Sequence, residues 1–199
     1  GVSALTHFIK LGRSTTLKSA VSYSFTETGN DVLYARTLQN IETAYNEKNS
    51  TTKLNFNTTL NHKFSTRSTL RAGAIVSRLN YSYYQKSKPN NNEPLREVIN
   101  TKGNTITVQG YAQWQYKAGE KITFNTGLHY LQLALNNSSA IEPRASVKWD
   151  ITNKQSLSFG YGLHSQVQAL GVYFAQAKDA NNINYSPKKS LDATQSQHY

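Results

Sequence analysis

The residues most able to do chemistry in this chain are five histidines, at positions 7, 62, 129, 164 and 198, and two carboxylates, Glu142 and Asp150. A metal site needs ligands that converge from short, regular spacings, and no pair of these histidines has one. His129 and His164 lie on the polar parity of two extended segments that are not consecutive. His62 lies on an apolar parity, and His7 and His198 sit near the ends. Glu142 and Asp150 share one parity of one extended segment. Eight residues of strand hold them about 26 Å apart, too far for paired acid–base work. Gly160–Tyr161–Gly162 lacks a serine at the elbow position and does not lead from a strand into a helix. The chain has no cysteine, which removes thiolate nucleophiles, thiolate metal ligands and disulfides. No catalytic residue, metal site or cofactor follows from the sequence, and the expectation is a protein that is not an enzyme.

The elements that carry these residues alternate with a period of two, the mark of strands with one apolar face. "QSLSFGYGLH" sets Leu157, Phe159, Tyr161 and Leu163 against Ser156, Ser158, Gly160, Gly162 and His164. "AIEPRASVKWDI" sets Ile141, Ala145, Val147, Trp149 and Ile151 against Glu142, Arg144, Ser146, Lys148 and Asp150. The same alternation recurs in "TTLKSAVSYSF", "KLNFNTTLNHKF", "STLRAGAIV", "ITVQGYAQWQY" and "KITFNTGLHY". Past Val76 the apolar parity shifts, with Leu79, Tyr81 and Tyr83 on the other side. About eight strands are expected, with a ninth beginning near Leu191. Connections alternate strictly between short (12–14, 65–67, 118–120, 152–154) and longer (27–50, 85–103, 136–139, 170–190). That order belongs to an antiparallel up-and-down meander with tight turns at one rim and loops at the other.

Composition narrows the setting. Hydrophobic residues make up 37% of the 199 residues and charged ones 17%, so little apolar surface is available for one thick core. No run of about 18 apolar residues marks a membrane helix, and no signal peptide is visible at the start. The net charge of +11 is scattered rather than clustered on a helix or an aromatic RNA-binding motif, which argues against nucleic acid. The strands exceed the roughly 9–11 residues that cross a bilayer. Phe64, Trp114, Tyr116, Phe124, Trp149, Phe159 and Tyr161 all lie on the apolar parity close to a short turn, as an interfacial aromatic girdle requires. On the polar parity, Lys53, Asn55, Asn57, Asn125, His129, Arg144 and Lys148 are the candidates to line a lumen. Tyr81, Tyr83, Tyr84, Tyr173 and Phe174 flank the longer loops and are assigned first to an outer girdle, second to stacking on a ligand.

The stretch "NNSSAIEPRASVKWDITNKQSLSFGYGLHSQVQALGVYF" resembles the barrel of TonB-dependent outer-membrane receptors, most of all the Bacteroidetes type with a carboxypeptidase-regulatory-like domain. The resemblance rests on Glu142–Pro143–Arg144 entering a strand, a short turn, and a Ser-Leu strand ending in Tyr161–Gly162. "NEKNSTTKLNFNTTLNHKFSTRSTLRAGAIVSRLNYSY" and "GYAQWQYKAGEKITFNTGLHYLQLALNN" fit the same region, and "KKSLDATQSQHY" resembles the start of a further strand.

The resemblance implies an all-β segment of a transmembrane β-barrel in the bacterial outer membrane, serving energy-coupled nutrient uptake. It implies a lipid environment, a plug domain and the TonB energy-transducing complex as partners in the full-length protein, and a nutrient ligand that the sequence does not name. Residues 1–199 are expected to form a single barrel segment without plug, signal peptide or TonB box. Such a segment must close on itself, pair edge to edge with another copy, or belong to a larger barrel. Two other readings stay open at this point: a small stand-alone outer-membrane barrel with an adhesive or structural role, and a soluble β-sheet protein that binds an apolar ligand inside.

Overall fold

A computed structural model describes residues 1–37, 40–90, 93–174, 177–178, 184–185 and 189–198. Its elements run β1 (Val2–Lys10), β2 (Thr15–Thr37), β3 (Asn40–Lys63), β4 (Ser68–Ser87), β5 (Arg96–Ala118), β6 (Ile122–Leu133), β7 (Ser138–Thr152) and β8 (Gln155–Gln166). They continue with α1 (Leu170–Tyr173), β9 (Ala177–Lys178), β10 (Asn184–Tyr185) and β11 (Thr194–His198). One nine-stranded sheet holds β1 to β8 in sequence order with β11 after β8, and every pairing is antiparallel. β9 and β10 pair only with each other. The expected up-and-down meander, its ninth strand near Leu191 included, is the fold. β1 and β11 form the two edges and are not paired with each other, unlike the first and last strands of a small closed barrel.

The register fixes two faces. Thr59, Ser77, Tyr81, Thr105, Thr107, Leu131, Leu133, Ser138, Ala140 and Glu142 are buried, and all fall on one face. A single-layered sheet buries one face only by curling toward it, so this is the inner wall. The other, outer face carries an apolar band: Leu17, Val21, Tyr23 and Phe25 on β2, Leu60, Phe56 and Leu54 on β3, and Trp114, Ala112, Val108 and Ile106 on β5. Beyond the band the outer face turns polar, with Glu27 and Lys48 in an exposed ion pair at 3.3 Å and with Asn80 and Ser82 on β4. Eight residues separate Leu17 from Phe25. That is about 26 Å along the strand, close to the height of the band on a membrane barrel.

Two sequence expectations need correction. Residues 27–50 and 85–103 are not long loops. β2 and β3 stay paired from Thr15↔His62 up to Thr37↔Asn40, and β4 and β5 up to Ser87↔Arg96. Outside the apolar band the outer face has no need of alternation, so the pattern that marks a strand disappears while backbone pairing continues. Ladders of Thr, Tyr and Asn with no proline in the paired residues sustain it. The second correction concerns Tyr81 and Tyr83. Pairing of β3 with β4 runs without a shift from Tyr45↔Ser87 to Lys63↔Thr69. The phase change after Val76 is therefore not a bulge, and both rings sit on the inner wall rather than in an outer girdle. Their partner there is Phe174, just past α1, with its ring 4.8 Å from Tyr81 and 6.1 Å from Tyr83.

Candidate functional site

The inner wall is a polar surface built from alternate residues of consecutive strands. All seven residues assigned from sequence to a lumen lie on it. Ser77 Oγ donates to Asn55 Oδ1 at 2.7 Å across β3 and β4. Gln115 Nε2 donates to Asn125 Oδ1 at 3.1 Å, and Asn125 Nδ2 to Ser146 Oγ at 3.3 Å, which links β5, β6 and β7. Lys148 pairs with Asp150 at 2.8 Å. Asn57 Oδ1 is buried without a partner among the described residues, and Lys53 has no ion-pair partner there.

The densest part of the wall centres on Glu142, a residue that sequence reasoning placed in the family-like motif but gave no task. Its side chain is 2% exposed. One carboxylate oxygen accepts from the Ser165 backbone N–H at 3.0 Å, and the other from Arg144 Nη2 at 2.6 Å. His129 on β6 stands directly opposite in the register, with Nδ1 3.1 Å from the carboxylate and Nε2 3.2 Å from Gln109 Oε1. The Nδ1 approach lies off the line of a hydrogen bond, so it is an electrostatic contact. A buried carboxylate is tolerated because a guanidinium, an imidazole and a backbone N–H surround it. Parity alone puts Glu142 and Arg144 on one face. What brings His129 opposite them is the turn at 134–137, where Asn137 adopts a left-handed φ of 58° and sets the β6–β7 register.

A second interior device is Tyr111, also unassigned from sequence. It crosses its β4 neighbour Gly73 and shares a 2.7 Å hydrogen bond with Thr59 on β3. At the far end of β3, Tyr45 Oη donates to Glu47 at 2.8 Å. Burial first, and then the Glu47 carboxylate, raises that phenol above its ordinary pKa.

The aromatic residues assigned to a girdle lie outward. Trp114, Tyr116, Phe124, Trp149, Phe159 and Tyr161 share the outer face, and Phe64 sits in the short connection after β3. All seven are exposed to between 40% and 65%, which no core role would allow. Trp114 Nε1 donates to Ser68 Oγ at 2.9 Å, and the His62 ring meets Phe64 edge-on at 4.5 Å. The Glu142–Pro143–Arg144 motif alternates between faces, Pro143 outward and the two charges inward. Tyr161 and Gly162 do likewise on β8, with Gly162 opposite Arg144. Among the described residues no group of three or more His, Asp or Glu side chains could hold a metal, and His164 and His198 meet only as an edge-on ring pair at 5.0 Å.

A curled antiparallel meander with one polar inner wall and one apolar banded outer face is the wall of a β-barrel. The family model for the TonB-dependent receptor-like β-barrel matches residues 4–199. The chain belongs to that family, whose members are receptors and transporters rather than enzymes. Among solved structures it is similar to the copper transporter OprC, with a TM-score of 0.69 at 10% identity over 98% of this chain and 36% of that one. It is also similar to the RagAB peptide importer in its "closed-closed" state, with a TM-score of 0.59 at 12% identity over 98% of this chain and 27% of that one. The chain thus spans about a third of the length of these structures. No curated protein matches the sequence.

Proposed function

We propose that the chain is part of the barrel wall of an outer-membrane receptor, and that the complete protein takes up a nutrient across the outer membrane using energy from the TonB complex. One observation carries this reading: the outer face holds an apolar band of membrane height, with rings beside the short turns and charge beyond its far edge. In this arrangement Trp114, Tyr116, Phe124, Trp149, Phe159 and Tyr161 face lipid at the periplasmic interface. Lys53, Asn55, Asn57, Asn125, His129, Arg144 and Lys148 line the lumen that a plug domain fills. The paired extensions of β2 to β5 rise into the extracellular space. A soluble protein with an apolar interior fits poorly, since the girdle rings lie on the exposed face and most of the buried residues of the inner wall are polar.

The test uses the intact protein in its host cell. Asn136→Cys, at the long-connection rim, should react with a membrane-impermeant maleimide in whole cells. Lys154→Cys, in the turn between β7 and β8, should react only after the outer membrane is opened. Labelling of both in whole cells, or recovery of the protein in a soluble fraction, contradicts the assignment.

A further inference from the structure

One register row crosses the whole inner wall: Lys10, Thr16, Asn61, Arg71, Gln113, Gly127, Arg144, Gly162 and His198 stand side by side on successive strands. Its central part forms a trough lined by Arg71, Gln113, Asn125, Gly127, Arg144 and His164 among others, and among the described residues no carboxylate lines it. Arg71 and Arg144 lie three strand spacings apart, about 14 Å at the backbone, and both line the trough. Between them stand Gln113, a neutral donor, and Gly127, which carries no side chain to fill the floor. Opposite Arg144 on the next strand, Gly162 leaves a second opening.

The charges in the trough do not balance. Glu142, just beyond it, gives one oxygen to Arg144 and stands against His129 as well. The Arg71 side chain has no hydrogen bond or ion pair among the described residues. An arginine on a wall of neutral amides, with an open floor beside it, is arranged for an acceptor that this chain does not supply. The surplus is close to one unit of positive charge, which suits a monoanion better than a dianion.

The geometry points to an oxyanion site in this trough, with Arg71 and Arg144 as its cationic sides, Gln113 as a further donor and Gly127 as its floor, accepting a carboxylate group. The placement of the trough inside a barrel rests on the receptor reading; the charge arrangement does not. The carboxylate comes either from an acidic side chain of the segment that fills the lumen or from a free carboxylate solute, and experiment separates the two.

The intact protein, purified in detergent, is compared with Arg71→Gln and Arg71→Lys. Neither substitution removes a bond within the described wall, so folding is preserved. If the acid belongs to the lumen segment, Arg71→Gln makes that segment at least about tenfold more sensitive to limited proteolysis, and Arg71→Lys restores most of the protection. If the acid is a solute, acetate binding measured by calorimetry weakens at least about tenfold in Arg71→Gln, the protease sensitivity of the lumen segment is unchanged, and added salt weakens the wild-type binding. Wild-type behaviour of Arg71→Gln in both measurements overturns the site. The receptor reading fails separately, on the cysteine-labelling and fractionation outcome, whatever acetate does.

Discussion

Tyr111 on β5 reaches over Gly73 on β4 to share a 2.7 Å hydrogen bond with Thr59 on β3. The absence of a side chain at position 73 is what lets one ring tie three strands together. A Cβ placed there would stand 2.6 Å from the Tyr111 ring and 2.5 Å from the Thr58 carbonyl oxygen. The tyrosine can swing away, whereas the carbonyl belongs to the paired backbone and cannot. Gly73→Ala should therefore destabilise the intact protein by about 1–3 kcal/mol, the cost typical of forced overpacking. Tyr111→Phe, which keeps the ring and loses only the hydroxyl, should cost about 1 kcal/mol. Denaturant unfolding in detergent ranks the two, and an equal or reversed order would contradict this account.

Glu142 holds together groups from three places in the chain: His129, Arg144 and the Ser165 N–H. Removing it leaves the Ser165 N–H and a half-exposed guanidinium without their acceptor. Glu142→Ala is expected to cost about 1–3 kcal/mol, the range for a donor left without its acceptor, because Arg144 is partly open to solvent. Glu142→Gln keeps a carbonyl acceptor and should cost less. Hydrogen exchange at Ser165 is the local readout. Its protection should fall sharply in the alanine variant and only partly in the glutamine variant.

The two faces of β6 offer a contrast that depends on the solvent outside the barrel. Leu128 lies in the middle of the outer apolar band, Phe124 close to its turn rim, and Asn125 on the inner wall. Arginine at Leu128 should cost about 2–4 kcal/mol in a lipid bilayer, at Phe124 less, about 1 kcal/mol beyond the lost ring, and at Asn125 no depth-dependent penalty. Refolding equilibria into phospholipid vesicles measure all three. A flat profile across the outer positions would remove the argument for a lipid-facing band.

Much of this was legible in the sequence because the fold obeys a period of two. Trp149 and Lys148, or Phe159 and Ser158, go to opposite faces wherever the strand pairs, so face could be read from parity without knowing register. The turns at 12–14 and 118–120 were legible from Gly12 and Gly119, which adopt φ of 138° and 83°. Two things were not legible. The paired extensions above the band, such as Asp31↔Asn46, lack outward apolar alternation because their outer face is polar. The Glu142–His129 contact depends on cross-strand register, which a turn sets and parity does not. Tyr81 and Tyr83 misled for a related reason, since apolar residues change faces where the outer solvent changes.

That change of face yields a last prediction. Tyr81 is buried, stacks on Tyr83 at 5.6 Å and meets Phe174 at 4.8 Å, so the segment after β8 is fastened to the inner wall by rings. Gly103, opposite Tyr81 on β5, is the seat of the Tyr81 ring, since a Cβ there would come within 2.6 Å of its hydroxyl. Within that segment, the Tyr173 hydroxyl accepts from the Gln168 N–H at 3.2 Å. Phe174→Ala should release α1 while leaving β4 and β5 paired, because their pairing does not pass through that ring. The expected result is faster proteolytic cleavage between residues 167 and 174 with less than about 2 kcal/mol lost from the stability of the whole, since aromatic pairs contribute about 0.5–1.5 kcal/mol beyond their buried area. Gly103→Ala should do the same by pushing Tyr81 off its seat. If Phe174→Ala instead unfolds the β4–β5 extension, the rings support the strands rather than the segment.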